Sequence, residues 1–393
     1  MNRRDFIKTS LCLGAAAATC GCIYGSKLVY NSEHPENKFR LKHKSDLPKK
    51  VRLEACNKCQ LNCAACWIRA EEQRIIDEGG GFGYLKFEDF KNFVDKHDFI
   101  KEIELSNNGE IFLNPELDDI IKYAYEKNIQ LSAQNGVNLN TVSDETLENL
   151  VKYKFNAIMV SLDGATPETY SIYRRGGDFN TVISHIKTIN KFKEKYNSPY
   201  PHLVWQFILF GHNEHEIDKA REMAKELNME MVYCKNYVTD YSPLKNPKLA
   251  QEKTGVHLID EPEEENNENT EITPEEEKKE TKEELAAEIP ENTDGRAEQD
   301  IETNERFCYQ LEYEPQINFN GDLLGCCILS YKNFGTNVFK EGLLGALNSK
   351  KVLQAKLMLS DFTTEPYEDN PCSTCGLYTG FKEQNRPIKF KLG

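Results

Sequence analysis

Three cysteines in the first third of the chain have spacing suited to chemistry: Cys59-Gln60-Leu61-Asn62-Cys63-Ala64-Ala65-Cys66, a Cys-x3-Cys-x2-Cys run. Three closely spaced thiolates on one loop can hold three irons of a 4Fe-4S cluster and leave one iron open to an outside ligand. A zinc site would instead use Cys56-x2-Cys59 with Cys63-x2-Cys66, but these pairs stand too close for the usual structural zinc loops. A second group follows near the C-terminus: Cys308, then Gly321-x4-Cys326, with Cys327 adjacent, then Cys372-Ser-Thr-Cys375. Four thiolates there would fully ligate one 4Fe-4S cluster or one structural zinc. The 13 cysteines fall in clusters and their number is odd, which reads as metal binding and not as a disulfide framework.

The first cysteine loop needs a scaffold, and the surrounding sequence supplies a strand–helix rhythm. Apolar runs predict strands at Val51–Cys56, Glu102–Asn107, Ile129–Gln134, Ala157–Leu162, Leu203–Leu209 and Glu230–Cys234. Helical patterns lie between them at Phe87–Val94, Glu116–Glu126, Asp144–Tyr153, Thr181–Lys195 and Glu214–Leu227. In one of these, Leu117, Ile120, Ile121 and Ala124 form a single apolar stripe of the kind that packs on a sheet. Six strands alternating with helices imply a parallel sheet, as a partial barrel or an open sheet. Ligands of such folds bind at the carboxyl ends of strands, which is where the cysteine loop falls.

The formal charge is −15, from 64 Asp and Glu against 49 Lys and Arg. Residues 260–306 alone hold 20 acids and 5 bases, so the rest of the chain is neutral. That segment has almost no aromatic residues and is predicted to be a disordered insert, because it cannot bury enough surface to offset its ordering entropy. The acidity excludes a nucleic-acid binder that works by phosphate neutralisation. No internal apolar run is long enough for a multi-span membrane protein. The N-terminus, Asn2-Arg3-Arg4-Asp5-Phe6-Ile7-Lys8 followed by an Ala-rich stretch, resembles a twin-arginine (Tat) export signal. It predicts a periplasmic or cell-envelope protein, with Tat translocase and membrane-surface contact; a cytoplasmic enzyme is the alternative.

With these residues in place, the chain resembles the radical S-adenosylmethionine (radical SAM) superfamily. The resemblance covers about residues 51–240, with 307–378 resembling the auxiliary SPASM or twitch domain. In that superfamily, the open iron of the cluster chelates S-adenosylmethionine, and one-electron reduction yields a 5′-deoxyadenosyl radical. The resemblance implies that Cys59, Cys63 and Cys66 are the cluster ligands, and that Cys56 is a buried strand-end thiol. Asn108-Gly109-Glu110-Ile111 follows the second strand where the family has Gly-Gly-Glu-Pro. Gly109 and Glu110 match and would bind the methionine amino group. Asn135-Gly136 matches a turn after the third strand. Ser161, in Ser161-Leu162-Asp163-Gly164, would touch the ribose or methionine part, and Arg174 would pair with the carboxylate. Cys308, Cys326, Cys372 and Cys375 would hold an auxiliary 4Fe-4S cluster in a single-cluster, twitch-like domain. Gln206, Lys235 and Asn236 are placed to face a substrate.

The fold class expected is therefore α/β, a partial (β/α)6 radical SAM barrel with a small C-terminal iron-sulfur domain of the twitch/SPASM type. Its bounds are a Tat-like signal at 1–30, a linker at 31–50, the core at 51–240, a linker with the acidic insert at 241–306, and the auxiliary domain at 307–393. The activity implied is reductive cleavage of S-adenosylmethionine and hydrogen abstraction from a peptide, sugar or alcohol. The partners implied are a one-electron reductant such as flavodoxin or ferredoxin and that substrate, with no nucleic acid. The alternative is an exported iron-sulfur electron carrier without S-adenosylmethionine chemistry.

Overall fold

The computed structural model describes residues 34–70, 72–77, 81–238, 240–258, 297–299, 306–326, 332–385, 387–390 and 392. The Tat-like signal, Cys12, Cys20, Cys22, Cys327 and nearly all of the acidic segment lie outside the described residues.

The six expected strands form as β1 (Lys50–Leu53), β2 (Glu102–Glu104), β3 (Gln130–Val137), β4 (Ala157–Ser161), β5 (His202–Ile208) and β6 (Glu230–Cys234). Four shorter strands follow: β7 (Ala297–Gln299), β8 (Arg306–Cys308), β9 (Gln316–Ile317) and β10 (Leu323–Gly325). The fold class is α/β with a mostly parallel sheet.

The described residues fall into two compact units. The first takes those of 1–58, 71–133 and 295–393, and the second those of 59–70 and 134–294. Strand β3 begins in one and ends in the other.

In the first unit the hydrogen-bonded order is β10-β9-β1-β2-β3. Strand β1 is parallel to both β2 and β9, and β10 turns back antiparallel on β9. Alternation sorts the side chains: Val51, Leu53, Ile103, Leu131 and Ile317 are buried apolar residues, while Arg52, Glu54, Glu104, Ser132 and Gln316 make up the other face. Helices α1 (Phe87–Lys96) and α2 (Leu117–Glu126) belong to this unit. The stripe of Leu117, Ile120, Ile121 and Ala124 on α2 is buried, as its spacing demands.

In the second unit the order is β3-β4-β5-β6, with β5 parallel to both β4 and β6. Its helices are α3 (Asp144–Lys152), α4 (Pro167–Tyr173), α5 (Phe179–Tyr196), α6 (Ile217–Glu226) and α7 (Pro247–Thr254). Side-chain oxygens cap three of them: Ser143 accepts from Thr146 N, Thr166 from Thr169 N and Asp178 from Thr181 N. Each such cap satisfies a helix-end N–H and stabilises by about 1 kcal/mol.

Apolar spacing in the C-terminal part predicts one helical stretch near Leu343–Met358; the chain there forms two helices, α8 (Val338–Leu347) and α9 (Lys350–Ser360). The break has a cause: Asn348 leaves the helix and binds the backbone of Leu41 through both ends of its amide, at 2.8 and 2.9 Å. Leu353 and Leu357 of α9 then pack with Phe39 and Phe390. Among the described residues no helix is long and apolar enough to cross a membrane.

Candidate active site

The cysteine loop lies in the second unit, tied by its backbone. Asn62 N donates to Arg175 O at 2.8 Å and Ala64 N to Tyr173 O at 3.1 Å. Arg69 closes the loop from behind, donating to the carbonyls of Cys59 at 2.7 Å and Leu61 at 3.1 Å. These bonds fix the loop while leaving the Cys59, Cys63 and Cys66 thiols half-buried.

Two N–H donors reach the sulfurs. Asn138 Nδ2 stands 3.7 Å from Cys59 Sγ, and Arg174 Nη1 stands 3.7 Å from Cys63 Sγ. Burial pushes the Cys63 thiol up, and the Arg174 guanidinium opposes this by favouring the thiolate. Arg174 is itself held: its Nε donates to Asp163 Oδ2 at 2.5 Å. Asp163 is fully buried, and its other oxygen accepts from Ile208 N at 2.8 Å. The chain Ile208–Asp163–Arg174–Cys63 thus couples the end of β5 to the cysteine loop.

The other residues of the second unit fall nearby in the chain but not all in one cluster. Ser161 ends β4 and donates to Gln206 Oε1 at 3.0 Å. Gly136 packs against this pair: a Cβ there would come within 2.6 Å of Ser161 Oγ and 3.2 Å of Gln206 Oε1, and its φ of +102° favours glycine. Asn135 and Gly136 do not form the turn expected after β3. The strand runs on to Val137, because Gly136 absorbs the distortion without ending it. Asn135 is exposed, and it is Asn138, three residues on, that meets the cysteine loop.

Gly109 and Glu110 lie in the first unit. Here the chain crosses the end of β1 so closely that a Cβ on Gly109 would sit 2.2 Å from the Cys56 carbonyl and 2.6 Å from Asn57 Cα. Glu110 N donates to Lys58 O at 2.8 Å. The buried Glu110 carboxylate accepts from Phe112 N at 3.3 Å. Cys56 is fully buried and bridges to Tyr84; burial pushes its thiol up to about 11, helped by Glu54 and Glu110.

The second cysteine group also belongs to the first unit. Cys326, Cys372 and Cys375 are buried and Cys308 is half-buried. Burial and then the charges of Cys326, Cys308 and Cys375 push the Cys372 thiol well up, so the four thiols feel one another. Burial pushes Cys308 up to about 11, with Lys356 pulling the other way.

Donor chemistry fits thiolate-bound iron at both places: soft sulfur ligands, N–H donors beside the first set and mutual repulsion of the second, which a bound cation relieves. Among the described residues no group of three or more Cys, His, Asp or Glu side chains converges closely enough to hold a single metal ion.

Sequence reasoning missed Asn138, Asp163 and Arg69. Asp163 stands in the Ser-Leu-Asp-Gly segment, so its signal was present without a role. Arg69 lies three residues past Cys66, at helical spacing.

Residues 53–225, a little under half of the chain, match the family model described as Radical SAM superfamily. The fold is similar to that of Streptococcus suis SuiB (TM-score 0.54, 16% identity, 86% of this chain and 72% of that one). Crystal structures of SuiB bound to S-adenosylmethionine and to the precursor peptide SuiA match at a TM-score of 0.53, with 15% and 14% identity; each match covers 85% of this chain and 70% of that one. The expected α/β partial-barrel class is thereby shown. The "Uncharacterized protein MJ0804" of Methanocaldococcus jannaschii is 26% identical over 178 residues, 45% of this chain and 52% of that protein. The chain therefore spans about half the length of that curated relative.

Proposed function

We propose that the protein is a radical SAM enzyme in which Cys59, Cys63 and Cys66 hold a 4Fe-4S cluster. The observation that carries this is the cysteine loop itself, pinned by its backbone, with Arg174 and Asn138 directed at two of its sulfurs. A cluster and S-adenosylmethionine bound there supply one-electron reductive cleavage of the sulfonium and hydrogen-atom abstraction. The residues do the rest. Arg174 holds positive charge beside Cys63, and Asp163 keeps that charge in place. Gly109 lets the backbone of its turn come close enough to receive the methionine amino group, with Glu110 beside it. In this reading Arg174 would also pair with the carboxylate, and Ser161 and Asn135 would contact S-adenosylmethionine, as the resemblance implies.

Cys308, Cys326, Cys372 and Cys375 hold an auxiliary 4Fe-4S cluster in this reading. The substrate is a peptide or a small alcohol or sugar, and the likeness to a fold that binds a precursor peptide favours the peptide. A flavodoxin or ferredoxin supplies the electron, and the Arg3-Arg4 segment directs export.

Anaerobic reconstitution with iron and sulfide tests this. The product should hold about eight irons per chain, two 4Fe-4S clusters. Dithionite and S-adenosylmethionine should then give 5′-deoxyadenosine, and Cys63→Ala should abolish it. A fully loaded sample that forms none overturns the reading. Replacing Arg3 and Arg4 with Lys should abolish export in a fractionation experiment.

A further inference from the structure

Glu54 is the first residue past β1, and it is fully buried. It follows Lys50 and Arg52 on the polar side of that strand, so its carboxylate lies away from Val51 and Leu53. Among the described residues no salt bridge joins a side-chain cation to it. What it faces is the backbone of the second-strand turn: the N–H groups of Asn107, Asn108 and Gly109, and the side chain of Asn108. None of them reaches hydrogen-bond geometry; both carboxylate oxygens and Asn108 Nδ2 are buried and unsatisfied. Burial pushes the carboxyl up to about 8, and the three amides pull in the opposite direction. Burial thus favours the neutral carboxyl, which avoids the cost of a buried charge and keeps its hydrogen-bonding capacity beside the turn.

The turn it faces is held from other sides too. Arg52 Nη1 stands 3.5 Å from Asn107 Oδ1. Gly109 sits on the Cys56 carbonyl, and Glu110 N is bonded to Lys58 O. Register places Glu54, two residues past the Arg52–Glu104 pair, beside the start of this turn, where its buried carboxyl can bias the turn from the inner side.

We propose that Glu54 is a positioning residue that orients the Asn107–Glu110 turn for the amino group of S-adenosylmethionine. This rests on the function proposed above.

Two variants of the full chain separate this role from plain packing. Glu54→Gln keeps the length but presents an NH2 donor to donors. Glu54→Leu keeps most of the volume and offers no acceptor. Hydrogen exchange read on a peptide covering residues 105–112 should quicken in both variants by roughly tenfold at 107–109, while exchange in α5 stays at the parent rate. In the reconstituted protein, equilibrium dialysis should show S-adenosylmethionine binding roughly tenfold weaker in both variants, at parent iron content. Unchanged exchange at 107–109 overturns the proposal whether or not the ligand binds. Quickened exchange with unchanged S-adenosylmethionine affinity also overturns it, and leaves the enzyme reading standing. A parent protein that loads iron and binds no S-adenosylmethionine overturns that reading and the ligand half of this one.

Discussion

Arg174 and Asp163 are the pair on which the cysteine loop depends. The Asp163 side chain is inaccessible and that of Arg174 is 13% exposed, so neither charge has water to fall back on. Removing one partner of such a pair leaves the other charged and alone, a loss of about 3–5 kcal/mol. Asp163→Asn should therefore lower the urea midpoint of the apoprotein with an unchanged slope. It should also weaken the grip of Arg174 on Cys63. Gly109→Ala tests the neighbouring turn: its Cβ would meet backbone atoms, which cannot swing aside as a side-chain tip can. Loss of S-adenosylmethionine binding is expected, with iron content at the first site retained. At this scale the spacing of Cys59, Cys63 and Cys66 was legible in the sequence, while Gly109, Ser161 and Arg174 stood out only through the family resemblance. It could not show that Asp163 turns its carboxylate to Arg174, or that Glu54 is buried without a partner. Both depend on which way a strand-end residue points, and a one-residue difference in where a strand stops reverses that.

At the scale of elements, the kink in α8 has a measurable consequence. Gly342 adopts φ 76° and ψ 163°, which interrupts the helix and strips the Leu343 N–H of its partner in the preceding turn. His97, capping the end of α1, supplies the replacement: its Nε2 accepts from Leu343 N at 3.0 Å, and its Nδ1 meets Phe93 O at 2.7 Å. Both ring nitrogens are used only by the neutral imidazole. Burial holds the His97 pKa below the ordinary 6.5, with Lys96 and Lys44 adding to this and Phe93 O and Asp98 opposing it. Below pH 6.5 the unfolded chain takes up a proton that the folded chain refuses. This stabilisation is therefore complete above pH 6.5 and declines as pH falls from there toward the lowered folded value. The difference in melting temperature between the parent and His97→Gln should accordingly narrow from pH 7.5 to pH 5.5. The helix on each side of this contact was legible in its apolar spacing. The break at Asn348 and the kink at Gly342 were not, since both answer to residues distant in the chain.

For the molecule as a whole, the signal expected at 1–30 and the acid-rich stretch lie outside the described residues. The charge of −15 resides in the latter, and the remainder is balanced. Deleting residues 261–294 should thus shift the isoelectric point sharply upward while leaving reconstituted iron content and 5′-deoxyadenosine formation intact. Isoelectric focusing and the cleavage assay check the two halves of that statement. The strand–helix alternation made the parallel sheet readable, because each apolar run is long enough to signal its own period. The pairing of β9 with β1 was hidden: β9 contributes only Gln316 and Ile317, too short a run to carry a pattern.

That pairing imposes an order in time. Arg52 and Leu53 find their neighbours Gln316 and Ile317 only 264 residues later in the chain. At translation rates of about 5–20 residues per second, the outer edge of β1 waits on the order of 13–50 s for its cover. During that interval a row of unpaired backbone groups is open to any other nascent chain. Transcripts that end prematurely would leave it open for good, so a chain stopped after residue 306 should collect in the pellet, whereas the complete chain stays in the supernatant. Expression yield is thus governed by the last strands to be made, far along the chain from the first cysteine loop.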